Sequence, residues 1–412
     1  MKVLYFTDTF LPKIDGISIS ITNFCNLLSA NGHEIVICCP DYGENSSQEL
    51  TQNVIVERFS NTSLPSYPDI KVVLPSPGRI KKIIKNFQPD LIHIHSPGLL
   101  GLYGMITARK YGICLIGTYH TLVSEQDMYL SLYRLLKIDK LFAKFSKMKK
   151  KLKSEDLVKV EKKKNLNFRK KAILKITNYI YDNCDLVISP SYLLRDQLHE
   201  FGIRKPVSVV SNGMDLSRFP GTARALSATP KFLHVGRISY EKNCEIVLKA
   251  FSLVLREQPE YTLTIIGEGP ALDSLKAEAV KLQIEKSVTF TGFIENKKLP
   301  QIYRDYDIFV TASTMETQGI VILEALASGL PAVGVDAYAV PELIHHEKNG
   351  YITQPYDPQA LAQSMLKIAS DADGYRKFSE QSLQIASLHD LGMCARELEK
   401  VYLDVCLRRQ TE

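Results

Sequence analysis

The chain has 412 residues, of which 45% are hydrophobic and 23% charged, and its formal net charge is +6. This length and composition suit two or three domains with separate cores and exclude a fibrous or low-complexity protein. No apolar run is long enough to span a bilayer, and the opening MKVLYF is typical of a buried strand rather than a signal peptide. The eight cysteines form no Cys-x-x-Cys pair, so we expect free thiols in a reducing, cytoplasmic setting.

Short apolar segments alternate with helical stretches in two series, which predicts two parallel sheets covered by helices. The first series contains VLYFTDTF, EIVICCP, LIHIHS, CLIGTYH, LVISPS and VSVVSNG. The second contains KFLHVGRI, YTLTIIGEGP, SVTFTGF, DIFVTAS and PAVGVD. We therefore predict an N-terminal domain over 1–218, a linker over 219–230, a second domain over 231–390, and a C-terminal helix over 391–412 that could pack on either domain.

The segment METQGIVILEALASGLP, residues 315–331, follows a predicted strand and combines a glycine turn with a helix start. The backbone amides of Gln318, Gly319 and Ile320 are expected at the helix N-terminus, where an anionic phosphate is favoured. Glu316 precedes the helix and Glu324 lies on it, so the two carboxylates could contact different hydroxyl-bearing parts of one ligand. The spacing alone fits equally well a helix with an acid near its start and an ordinary surface glutamate.

A second motif, HVGRISYEKN, places two cations after another predicted strand. Gly236 permits close approach of a backbone, while Arg237 and Lys242 are expected to face an anion such as a diphosphate. Ordinary solvated basic residues remain an alternative for this motif alone. The Gly-x-Gly at Gly267 and Gly269 lacks a third glycine and is weak evidence for dinucleotide binding.

Histidines and acids near other strand ends complete the candidates. His120, in GTYHT, suits a hydrogen bond to a sugar hydroxyl or to a leaving group, whereas the alternation in LIHIHS predicts that His93 and His95 share a face as satisfied structural residues. We predict no metal, because no third ligand accompanies the His-x-His pair. Asp305 and Asp307 form an Asp-x-Asp, but they lie at the amino end of a strand, away from the expected ligand.

The segment from Tyr129 to Ile180 is strongly basic. From Arg134 to Lys175 it has 17 Lys and Arg against 4 Asp and Glu, so the rest of the chain is net acidic. Its first part has apolar residues at helical spacing, which fits a helix lying on an anionic membrane, a helix packed on the first sheet, or a nucleic-acid patch. The lysines predicted to contact the membrane are Lys137, Lys140, Lys144, Lys147, Lys149, Lys150 and Lys151.

Together these motifs resemble those of the retaining glycosyltransferases of family 4. DTFLPKIDGIS, DLIHIHS, GTYHT, SNGMDLSRF, HVGRISYEKN, IIGEGP and METQGIVILEALASGLP occur in the family's order over nearly the whole chain. The resemblance implies the GT-B fold, an α/β architecture of two Rossmann-like, doubly wound parallel-sheet domains facing a central cleft. The ETQG form, the basic insert and the TDTFLP opening look most like bacterial diacylglycerol glucosyltransferases and related glycolipid synthases.

The resemblance also implies a role for each matched residue. The catalytic contacts would be those of His120 with the transferred hexose, of Arg237 and Lys242 with the diphosphate, and of Glu316 with the sugar. The donor-binding residues would be Gly16 near the phosphate, Gly236, the backbone of Phe293 and Ile294 near the base, the amides of Gln318, Gly319 and Ile320, and Glu324 at the ribose. The family often has two adjacent glycines in the first loop, whereas this chain has Asp15 before Gly16, which could alter the fit of donor or acceptor.

These inferences lead us to expect a metal-independent hexosyltransferase that transfers glucose from UDP-glucose, with retention, to a membrane lipid such as diacylglycerol. Its partners would be the nucleotide sugar, the lipid and an anionic membrane surface, with no cofactor and no nucleic acid, at the inner face of the cell membrane. One alternative is a glycosyltransferase of surface polysaccharide or lipid-linked oligosaccharide synthesis. The other is a non-catalytic GT-B-like protein that binds a membrane or a nucleic acid.

Overall fold

The computed structural model describes residues 1–13, 15–43, 50–64, 67–73, 76–120 and 168–411. The chain forms two compact units, one of Met1–Val210 with Ala395–Glu412 and one of Ser211–Cys394. The seven lysines predicted to contact a membrane lie outside the described residues.

The first unit contains a parallel sheet and a hairpin. Its strands are β1 (Lys2–Phe6), β2 (Glu34–Pro40), β3 (Val54–Phe59), β4 (Asn61–Leu64), β5 (Tyr67–Val73), β6 (Leu91–Ile94), β7 (Cys114–Thr118), β8 (Leu186–Ser189) and β9 (Val207–Val209). Seven of them form a sheet in the order β3-β2-β1-β6-β7-β8-β9, in which all neighbours are parallel. The other two, β4 and β5, pair antiparallel.

The helices of the first unit connect these strands. They are α1 (Gly16–Ala30), α2 (Pro77–Phe87), α3 (Leu99–Tyr111), α4 (Phe168–Tyr181) and α5 (Tyr192–Glu200). The central strand β1 is buried from Val3 to Phe6, as expected of a parallel strand covered on both faces. The edge strand β3 instead mixes polar residues such as Glu57 with an exposed Ile55, and the sequence did not predict it.

The second unit has a six-stranded parallel sheet. Its strands are β10 (Lys231–Val235), β11 (Thr262–Ile266), β12 (Val288–Gly292), β13 (Ile308–Val310), β14 (Ala332–Val335) and β15 (Gly350–Thr353), and the sheet order is β12-β11-β10-β13-β14-β15. The helices are α6 (Cys244–Glu257), α7 (Leu272–Lys281), α8 (Leu299–Tyr303), α9 (Ile320–Ala327), α10 (Val340–Leu343), α11 (Pro358–Ser370) and α12 (Ala372–Ser387). The two predicted parallel sheets are therefore confirmed.

The last helix, α13 (Leu391–Thr411), begins in the second unit and contributes its residues from Ala395 onward to the first. Within the first unit the Tyr402 hydroxyl lies 2.7 Å from that of Tyr5 on β1. Arg409 donates to the Asp185 carboxylate at 2.6 Å and to the Ile113 carbonyl at 2.7 Å. These contacts pack the end of the chain against the first sheet.

The length and apolar character of the helices decide whether any of them could span a membrane. Among the helices of the described ranges, none is long and apolar enough to cross a bilayer.

Candidate functional site

Three motifs of the second unit meet at the carboxyl edge of its sheet. β10 lies between β11 and β13, and all three strands are parallel, so the loops that follow them leave the same edge. Those loops carry Arg237, Gly267 and Glu316. Open α/β sheets bind ligands at this edge, which makes the three loops the candidate site of this unit.

The two glycine-containing loops pack backbone against backbone. Gly267 has a φ of +141°, and a Cβ at this position would overlap the carbonyl oxygen of Gly236. A Cβ at Gly269 would likewise overlap the carbonyl of Ile238. Close packing of the two loops therefore explains the Gly-x-Gly of this chain, and a bound phosphate is not needed to explain the two glycines.

Lys242 and Glu316 form a close ion pair between the loops after β10 and β13. The Lys242 Nζ donates to Glu316 Oε1 at 2.7 Å, and both side chains are largely buried. Asn243 holds the loops together because its side-chain amide donates to the Ala312 carbonyl at 3.2 Å and to the Thr314 hydroxyl at 3.0 Å. The sequence predicted both charges at one site, and the structure shows that they are in contact.

The Lys242 contact also controls the ionisation of Glu316. Burial opposes the charged form of this carboxyl, but the charge and hydrogen bond of Lys242, with a hydrogen bond from Ser313, hold the pKa of Glu316 below its usual value. Glu316 is therefore ionised at neutral pH. A carboxylate only accepts hydrogen bonds, so a ligand hydroxyl at this position has to donate.

Helix α9 starts at a glycine in the left-handed region. Gly319 is its N-cap with a φ of +85°, where a side chain would cost about 1–2 kcal/mol. The Gly319 carbonyl accepts from the amides of Ile322 and Leu323 at 2.9 and 3.1 Å. As in any helix, the amides before Ile322, including that of Ile320, have no acceptor within the helix and favour an anionic ligand.

The Gln318 side chain points away from this helix start and into the interior. It is only 2% exposed, and its amide donates to the Ser211 hydroxyl at 2.6 Å while its Oε1 accepts from the Asn212 amide at 3.0 Å. His389 Nδ1 lies 2.9 Å from the same hydroxyl. The Gln318 side chain therefore anchors the loop before α9, and only the backbone of this residue could contact a ligand.

Glu324 lies within α9 and is nearly buried. The Tyr303 hydroxyl donates to its Oε2 at 2.9 Å. Burial raises the pKa of Glu324 to about 7, although the Tyr303 hydrogen bond and the charge of Arg218 act in the opposite direction. The carboxyl is therefore close to half ionised at neutral pH, and a ligand hydroxyl that donates to it would favour the ionised form.

Other predicted donor contacts lie on the neighbouring loops. Arg237 is exposed after β10, and no carboxylate of the described residues forms an ion pair with it. Phe293 is 60% exposed and its amide donates to Glu268 Oε1 at 3.3 Å, whereas Ile294 packs against the core. An exposed guanidinium and an exposed aromatic ring suit a diphosphate and a base.

In the first unit, Gly16 is the exposed first residue of α1. Asp15 caps this helix, since its Oδ1 accepts from the Ser18 amide at 2.9 Å and its Oδ2 accepts from the Thr9 hydroxyl at 2.6 Å. The residue that replaces a second glycine therefore supplies the helix cap, and its carboxylate is occupied within the chain.

His120 follows β7 and contacts a histidine of the neighbouring strand. Its Nε2 lies 3.2 Å from His95 Nδ1, and the two rings are stacked. His93 and His95 share one face, with ring centroids 4.0 Å apart. His93 is satisfied on both nitrogens by the hydroxyls of Tyr402 at 2.6 Å and Thr118 at 2.7 Å. His93 is thus structural, whereas His95 contacts the candidate site residue.

Burial keeps these imidazoles neutral. It lowers the pKa of His120 to about 4 despite the nearby charge of Asp15, and it holds the pKa of His95 well below its usual value. A neutral imidazole has one N–H donor and one bare nitrogen. At neutral pH His120 is therefore a hydrogen-bonding residue rather than a cation.

The residues that position the predicted site residues through hydrogen bonds were not identified from the sequence. Asn243 directly follows Lys242 and was visible in the EKN motif, but Tyr303 lies 21 positions from Glu324 with no spacing to link them. His95 was recognised only as a core histidine. Its contact with His120 depends on the register of β6 against β7, which the sequence does not reveal.

Asp307, at the opposite edge of the sheet, has structural partners. Asp307 Oδ2 accepts from the Lys231 amide at 2.9 Å and from the Ser227 hydroxyl at 2.8 Å, which joins the amino ends of β13 and β10. Across the described part of the chain, no group of three or more His, Cys, Asp and Glu side chains is placed to hold a metal ion.

Two family profiles match consecutive parts of the chain. Residues 14–218 match the family described as Glycosyltransferase Family 4, and residues 223–384 match Glycosyl transferases group 1. The first profile covers most of the unit that carries His120, and the second covers the loops that carry Lys242 and Glu316.

Similar proteins agree with this assignment over most or nearly all of the chain. An alpha-monoglucosyldiacylglycerol synthase of Streptococcus pneumoniae is 28% identical, covering 99% of this chain and 86% of that protein. A GDP-mannose-dependent alpha-mannosyltransferase of Mycobacterium tuberculosis is 25% identical over 85% of this chain and 83% of its own. The structure of Anabaena HepE in complex with UDP has a TM-score of 0.73 at 20% identity, covering 98% of this chain and 100% of HepE. The chain therefore belongs to the glycosyltransferases with the GT-B fold, and it consists of a family 4 domain followed by a group 1 domain.

Proposed function

We propose that this glycosyltransferase transfers glucose from UDP-glucose to a membrane lipid such as diacylglycerol, with retention of configuration and without a bound metal. The observation that carries the proposal is the buried Lys242–Glu316 pair beside the exposed Arg237 and the start of α9. The names of the pneumococcal relative and of the UDP complex support glucose, lipid and UDP as the specific reactants.

The departing UDP carries the negative charge that develops in the reaction. Arg237, Lys242 and the first amides of α9 would stabilise this charge, which is usually the largest contribution to such catalysis. Lys242 already donates to Glu316 at 2.7 Å, so diphosphate binding requires its ammonium group to bond both the carboxylate and the phosphate.

The remaining residues would bind hydroxyl groups. Glu316 would accept from the hexose and Glu324 from the ribose, while His120 would contact the hexose from the first unit. The hydroxyl of the acceptor lipid attacks the anomeric carbon as the bond to UDP breaks. Its proton passes to the departing phosphate on the same face, so this step needs no separate base.

The proposed contact with the membrane lies outside the donor site, in the basic segment. The basic segment before residue 168 would bind an anionic membrane surface, with each lysine near the surface adding on the order of 1 kcal/mol. The enzyme would then act as a peripheral protein on the cytoplasmic face of the membrane, between a water-soluble donor and a lipid acceptor.

Mannosyl transfer from GDP-mannose is a second candidate, because the mycobacterial relative carries that activity in its name. The test is incubation of the purified chain with radiolabelled UDP-glucose, UDP-galactose or GDP-mannose and vesicles that contain diacylglycerol. We expect label from UDP-glucose in the lipid phase. Label from GDP-mannose alone would favour the second candidate, and no labelled lipid with any donor would contradict both.

Substitution of Arg237 tests the diphosphate contact. Arg237→Ala should lower kcat by on the order of 100-fold, since the enzyme loses a charge that stabilises the leaving group. Arg256 is exposed in the last turn of α6 and provides a matched control, so Arg256→Ala should retain normal turnover. Steady-state kinetics with UDP-glucose measure both variants, and equal kcat values would contradict the assignment.

The raised pKa of Glu324 predicts a pH dependence of donor binding. Below pH 7 the carboxyl is protonated and accepts poorly from ribose hydroxyls, so the KM for UDP-glucose should fall as pH rises from 6 to 8. Glu324→Gln should raise the KM and abolish this step in the pH profile. A wild-type KM that is constant over this range, or a step that persists in the variant, would contradict the role of Glu324.

Charge reversal tests the membrane contact. Replacing Lys149, Lys150 and Lys151 with Glu should weaken binding to vesicles that contain anionic lipid and leave donor hydrolysis unchanged. The matched control reverses three exposed lysines of the second unit, Lys276, Lys281 and Lys286, with the same change in net charge. Vesicle co-sedimentation distinguishes the two variants, and equal binding by both would argue against the basic segment as the membrane contact.

A further inference from the structure

His95 has an unusual hydrogen-bonding state within the first unit. The residue is 3% exposed, its Nδ1 lies 3.2 Å from His120 Nε2, and its Nε2 has no hydrogen-bond partner among the described residues. The neighbouring His93 is satisfied on both nitrogens. The two histidines of the LIHIHS motif therefore differ in chemistry although they share a strand face.

The unpartnered nitrogen determines which ring donates. If His120 donated from Nε2, the proton of His95 would lie on its own Nε2, as a buried N–H without an acceptor. Orphaned buried N–H groups are rare, and an unsatisfied buried donor costs about 1–3 kcal/mol. The other arrangement leaves a bare nitrogen at that position, so His95 Nδ1–H donates to His120 Nε2.

The surroundings fix the His95 ring. It packs against the His93 ring, with centroids 4.0 Å apart and planes tilted by 35°, and against Tyr5 at 4.6 Å between centroids. His93 is in turn held by Tyr402 and Thr118, and the Tyr402 hydroxyl lies 2.7 Å from that of Tyr5. This layer of rings, between the strands and α13, leaves His95 little freedom to turn its donor away from His120.

We propose that His95 is a positioning residue that holds His120 in the tautomer with its proton on Nδ1. His120 then has a single group to offer a ligand, an N–H donor at Nδ1, because its Nε2 is occupied by His95. The oxygen that it binds must accept, as a hexose hydroxyl oxygen does. This inference rests on the proposed function only for the identity of that oxygen.

The tautomer is measurable on the free protein. Long-range 1H–15N spectra of the full chain labelled with 15N-histidine distinguish a protonated ring nitrogen from a bare one, and the signals lost in His120→Asn identify those of His120. We expect the wild-type His120 to be protonated on Nδ1. His95→Leu should move the proton to Nε2, whereas His95→Asn keeps an amide donor near the place of Nδ1 and should retain the wild-type tautomer.

Kinetics provide the second readout. His95→Leu should lower kcat/KM for glucosyl transfer on the order of tenfold, the effect of one lost hydrogen bond, and His95→Asn should recover most of it. A wild-type His120 protonated on Nε2, or an unchanged tautomer in His95→Leu, would overturn the proposal. If His95→Leu fails to fold, the spectra of the wild type and of His95→Asn still test the proposal, since both should show His120 protonated on Nδ1. A protein without transferase activity but with the expected tautomer would refute the proposed function and leave the role of His95 intact.

Discussion

The ion pair between Lys242 and Glu316 is the contact on which the candidate donor site depends. It joins the loop after β10 to the loop before α9, and Asn243 reinforces the same connection through two hydrogen bonds. A buried charge pair persists only when its partners compensate for the loss of water. The chain therefore holds an ionised Glu316 and a cationic Lys242 in place before any ligand binds, which is the pre-organisation that electrostatic catalysis requires.

The two units provide different chemistry from the same type of sheet. The loops of the second unit present charge: an exposed guanidinium, a paired ammonium and two carboxylates that differ in ionisation. Those of the first unit present neutral hydrogen-bonding groups, because burial keeps the rings of His120 and His95 uncharged and the Asp15 carboxylate is occupied in capping α1.

The sequence predicted the central strands because buried parallel strands are continuous apolar runs, as β1 and β2 are. It missed two edge strands: β3, whose Glu57 and exposed Ile55 break that pattern, and β15 at the edge of the second sheet. The positions of Arg237, Lys242 and Glu316 in loops at one sheet edge followed from motif order.

The contacts and pKa values of individual side chains could not be predicted from motif order. The sequence predicted the backbone amide of Gln318 beside the ligand, and it gave no indication that the side chain anchors the loop to Ser211. The raised pKa of Glu324 depends on burial by residues distant in the chain, and the His95–His120 contact depends on strand register. Such properties are set by packing between elements, which local pattern does not encode.

We propose that the loops after β10 and β13 bind the nucleotide sugar. Hydrogen–deuterium exchange of the full chain with and without UDP-glucose tests it most directly, because amides that bind a ligand or lie beneath it exchange more slowly. We predict slower exchange in 236–243 and 316–322 and no change in α12. Unchanged exchange in both loops at a saturating concentration of UDP-glucose would show that these loops do not bind the donor.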